Sequence, residues 1–65
     1  MRNPAFTLEQ WRDIFESIET LPEYEAFEEM FRSDCVIAGW DVLEWSTVTR
    51  IARQKMRELY LKFSI

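Results

Sequence analysis

Apolar side chains recur at helical spacing over three stretches of this chain. In the first, Leu8, Trp11, Ile14, Phe15 and Ile18 fall on one face when successive residues are turned by about 100°. Glu9, Asp13 and Glu16 take the opposite face. Thr7 precedes the run and Gln10 follows it by three, the pairing that forms a capping box, and Phe6 is placed to pack on the first turn. The spacing predicts a helix over about 8–20, entered by a short extended lead-in from Arg2 to Phe6 because Pro4 restricts Asn3.

The second stretch opens at Pro22, whose missing N–H costs nothing in a first helical turn. Glu23 and Glu25 suit the positive end of such a helix. Tyr24, Phe27, Met30 and Phe31 make its apolar face, while Glu25, Glu28 and Glu29 project the other way. The pattern predicts a helix over about 22–32. It could continue to Ala38 and stop on Gly39 in a left-handed conformation. Val36 and Ile37 leave the face set by Tyr24, Phe27 and Phe31, so a break near Ser33–Asp34 is the expectation. A short strand over 35–38 is the other option, with no evident pairing partner.

In the third stretch Asp41 and Glu44 form a cap-like pair. Trp45, Val48, Ala52, Met56, Leu59 and Phe63 then make a long apolar stripe, with Arg50, Arg53 and Arg57 opposite. A helix over about 42–62 is predicted, with a kink near Ser46–Thr47. Three such helices can share one core. The expected fold is all-α, a small three-helix bundle forming a single domain over residues 1–65, monomeric or homodimeric.

Composition narrows what such a bundle can do. The chain has 65 residues, no histidine and one cysteine. Without histidine it lacks the commonest general base, metal ligand and pH switch. A single cysteine makes neither an internal disulfide nor a thiolate zinc site, which favours a reducing, cytoplasmic setting. Cys35 itself reads as a small half-buried hydrophobe. The longest wholly apolar run, residues 35–40, is far short of the roughly 20 residues of a membrane span. The expectation is a non-enzymatic protein without metal or cofactor.

Charge is unevenly distributed. Residues 1–45 carry 11 acids and 3 bases, whereas residues 46–65 carry 1 acid and 5 bases. Glu9, Asp13, Glu16, Glu25, Glu28 and Glu29 form an acidic surface suited to a larger protein with a basic patch. Carboxylates one helical turn apart lie about 5–6 Å from each other, broadly the spacing of phosphates along a strand. A sharper version of the reading is therefore a nucleic-acid mimic, an inhibitor of the kind that phages or mobile elements encode. Ten aromatic residues exceed what so small an interior readily buries, and Trp40 and Trp45 are the expected apolar anchors. Two alternatives use Arg50, Arg53 and Arg57, which have no acid at i±3 or i±4. That face could grip nucleic acid, although the net charge of −4 opposes it. It could equally meet the acidic helices of a second copy.

Overall fold

Three caps and one left-handed glycine set the helix boundaries. The computed structural model describes residues 3–63, and its three helices form an all-α bundle. Helix α1 runs over Leu8–Ser17. The Thr7 hydroxyl accepts from the Gln10 amide at 3.1 Å, and the Gln10 side chain accepts from the Thr7 amide at 2.9 Å. Both halves of the expected capping box are therefore made. The helix ends earlier than predicted, because Ile18 is already extended. Its side chain tucks into the core while Thr20 caps the next helix, accepting from the Glu23 amide. A residue holding that extended cap conformation cannot also end α1.

Helix α2 covers Leu21–Ala38 without interruption. The expected break at Ser33–Asp34 and the optional strand over 35–38 are both absent, and the continuation to Gly39 is the one adopted. Gly39 takes φ 66° and its N–H reaches the Cys35 carbonyl at 3.0 Å. Nothing lies within 4 Å of where a Cβ would stand there, so backbone conformation alone calls for glycine.

Helix α3 covers Val42–Phe63. The Asp41 carbonyl accepts from the Glu44 and Trp45 amides, and Glu44 reaches back to the Asp41 amide. The predicted kink gives way to continuous helix at Ser46–Thr47, where each hydroxyl bonds the carbonyl four residues earlier.

The core is built around Trp11 and Phe15, both fully buried. Trp11 meets Phe6, Phe27 and Phe31 edge-on, at centroid distances of 5.1, 6.1 and 5.4 Å, and stacks with Phe15 at 5.6 Å. Helix α3 closes this aromatic cluster with Val48, Ala52 and Leu59, and α1 packs more closely on α3 than on α2. The side chain of Phe63, assigned to the stripe by sequence, lies outside the described residues, as does Arg2 of the lead-in.

Asp34 explains why α2 does not break. It lies three residues after Phe31 and seven after Phe27, on the apolar face, and is 3% exposed. Its carboxyl oxygens accept from the Ala5 amide at 2.9 Å, the Phe6 amide at 3.1 Å and the Trp11 indole N–H at 2.8 Å. One side chain thereby holds the lead-in, α1 and α2 together, and supplies the partner a buried tryptophan N–H needs.

The molecule is elongated, 45 × 21 × 15 Å, with a radius of gyration of 12.1 Å. A compact chain of this length has a radius near 10.7 Å. The 22 residues of α3 alone span about 33 Å, so much of its length presents an outer face.

Candidate interaction surfaces

The acidic residues belong to two separate surfaces. On α1, Glu9, Asp13 and Glu16 are all exposed. Glu9 borders a depression at the α1–α3 seam with Arg12 and Glu44. On α2, Glu25 and Glu29 are exposed one turn apart, and they border a different depression with Glu28 and Arg32. Glu28 departs from the sequence reading of a fully outward acid. It is half-buried and pairs with Arg32 at 2.6 Å. It also faces Tyr24, whose hydroxyl is pushed above its ordinary value of 10.0, first by burial and then by the Glu28 charge and hydrogen bond, against the smaller opposing effects of Arg53 and Arg32.

The tryptophans sit deeper than pure surface anchors. Trp40 and Trp45 are half-buried and packed against the core, and Trp40 stacks on Phe31 at 6.3 Å. A partner could reach only their outer edges.

Three other apolar residues nearby are more exposed. Val36 is 83% exposed, Val42 63% and Leu43 86%. All three lie within eight residues of chain around Gly39, at the α2–α3 corner. Sequence reasoning noticed that Val36 leaves the core face but drew no surface from it. The signal was present: Val36 follows Glu29 by seven residues and Glu25 by eleven, which puts the three on one stripe of α2.

Between α2 and α3 lies a groove of about 310 Å³ with Phe15, Phe31, Trp45 and Ala52 in its lining and Arg53 at its edge. Cys35 also lines it, and burial, then the neighbouring Asp34, pushes its thiol above the ordinary value of 9.0. A thiol so placed is a poor nucleophile at neutral pH. Arg53 continues onto the outer face of α3, a shallow trough that includes Arg50, Arg57 and Leu61. Among the described residues no carboxylate lies within ion-pairing distance of Arg50, Arg53 or Arg57, whereas Lys55 pairs with Glu58 at 3.6 Å.

Among the described residues no group of three or more His, Cys, Asp or Glu is placed to hold a metal ion, and no helix is long and apolar enough to cross a membrane. No family model, curated protein or solved structure matches the chain.

Proposed function

We propose that this chain is a non-enzymatic interaction module that acts as an adaptor or inhibitor by covering a basic surface of a larger protein. One observation carries the reading: the outer stripe of α2 carries Glu25 and Glu29, then Arg32, which is paired with Glu28, and ends on exposed Val36, with exposed Val42 and Leu43 just past Gly39 at the start of α3. Charge on such a surface steers encounter and selects the partner. Apolar area at one end of it supplies affinity, and exposed apolar residues that adjoin one another mark interaction sites more often than scattered ones do. The half-buried Trp40 and Trp45 lie within and just after the same stretch of chain. If the partner's patch normally holds nucleic acid, the α2 carboxylates stand in for phosphates.

Affinity capture tests this. Tagged chain is exposed to lysate with and without nuclease, at low and high salt, beside a Glu25→Lys, Glu29→Lys, Leu43→Ser variant. The expected result is a stoichiometric protein partner that survives nuclease, weakens as salt rises and is lost with the variant. Equal capture by the variant, or recovery of nucleic acid alone, would overturn the reading.

A further inference from the structure

The unpaired arginines of α3 and the acids of α1 have the same spacing. Arg57, Arg53 and Arg50, read toward the N-terminus, are separated by four and then three residues. Glu9, Asp13 and Glu16, read toward the C-terminus, are separated by four and then three residues. Each set spans seven residues of helix, about 10.5 Å. Each is exposed, and among the described residues neither set makes an ion pair within the chain. The two sets do not meet within the chain: α1 and α3 face each other through Trp11, Val48 and Ala52, Glu9 at the edge of that seam lies beside Glu44 and Thr47, and none of the three arginines lines the seam.

We propose that the arginine face of α3 is a docking surface for helix α1 of a second copy, laid antiparallel. Glu9 then meets Arg57, Asp13 meets Arg53 and Glu16 meets Arg50. In the parallel sense the middle pair would fall one residue out of step. Guanidinium groups suit this contact because they bind carboxylates through two parallel hydrogen bonds. Leu61, 69% exposed and one turn beyond Arg57, comes to lie over the Pro4–Phe6 lead-in of the other copy and adds apolar area. Exposed ion pairs are individually weak, so the association is weak, salt-sensitive and visible at high concentration. Each copy carries one face of each kind, so the contact is head-to-tail and extends beyond a dimer unless the geometry closes. It uses neither the α2 stripe nor the apolar corner, and its fate is separate from that of the proposed partner.

Sedimentation of the full chain, at about 0.5 mM and about 20 mM salt, where screening is weak, reads the outcome. The wild-type mass rises above the monomer and returns to it at high salt. Two variants are compared, one with Glu9→Arg, Asp13→Arg and Glu16→Arg, the other with Arg50→Glu, Arg53→Glu and Arg57→Glu. Each alone is expected to be monomeric, and an equimolar mixture of the two associates again, which neither would do if it had merely unfolded. A chain with Glu25→Lys, Glu28→Lys and Glu29→Lys changes net charge by as much as the first variant and is expected to associate as wild type does. The proposal is overturned if the wild type is monomeric throughout, if either face variant associates alone as the wild type does, or if the mixture stays monomeric. It is equally overturned if the arginine variant loses only the ability to shift a DNA or RNA oligonucleotide.

Discussion

The junction of α1 with α2 and the outer face of α3 handle polar groups in opposite ways. At the junction a carboxyl group is taken out of water and its oxygens are met by three N–H donors within a shell of aromatic rings. On α3 three guanidinium groups stay in water with no carboxylate in reach among the described residues. A buried acceptor whose donors are all in place fixes one arrangement of the chain, and losing it leaves those donors stranded. An exposed unpaired charge contributes little to folding. Stability is therefore concentrated around Asp34 and Trp11, and the outer charges contribute little to it.

The sharpest break in this contrast is Asp34→Ala. Each stranded donor costs about 1–3 kcal/mol, and water can reach the two backbone amides more easily than the indole. The expected loss is about 3 kcal/mol or more, a large part of the stability of so small a domain. Chemical denaturation measures it. Asp34→Asn should fall between, since the amide keeps one acceptor oxygen but turns an NH₂ toward a donor.

Gly39→Ala should cost about 1 kcal/mol. The space beside Gly39 is open, so the penalty is confined to its left-handed backbone. A larger loss in the same denaturation assay would mean that the corner is packed more tightly than its geometry indicates.

Alkaline pH should produce a smaller, graded loss. Tyr24 and Cys35 hold their protons more tightly in the folded chain than their ordinary values of 10.0 and 9.0. The unfolded chain releases these protons first, so the stabilising effect is complete below about pH 9 and declines as pH rises through that value. Unfolding midpoints followed from pH 8 to pH 11 would check this, and Cys35→Ala should remove the earlier part of the decline.

The smallest expected effect is that of Arg50→Ala, Arg53→Ala and Arg57→Ala together. Surface changes away from packed features usually stay within about 0.5 kcal/mol each. A greater loss of stability would show that the arginine face has a structural role and weaken the contrast with the junction.

The sequence made the bundle legible wherever period and caps agreed. Thr7 with Gln10, the Trp11–Phe15 face and the stripe from Trp45 to Leu59 all appear in the structure as read. The structure departs from the pattern in the second half of α2. The pattern predicts a break at Ser33–Asp34 because Val36 and Ile37 leave the apolar face, and periodicity does not reveal that Asp34 has a partner 23 residues away in α1. The spacing of Asp34 from Phe27 and Phe31, together with the need of a buried Trp11 N–H for an acceptor, was the available clue. The candidate surface was legible as charge but not as shape. The six acids divide between two helices, Glu28 is drawn into a pair with Arg32, and the apolar residues exposed around Gly39 are Val36, Val42 and Leu43 rather than the two tryptophans. Such exposure depends on how helices meet, which periodicity along one helix does not contain.

On the proposed reading, the α2 stripe and the exposed residues around Gly39 serve binding and not folding. The most direct measurement takes one preparation of the Glu25→Lys, Glu29→Lys, Leu43→Ser variant and records both its unfolding free energy and its capture of the partner that wild type retains. The expected result is a stability change within about 0.5 kcal/mol per substitution and loss of the partner. Capture undiminished in a folded variant would contradict it.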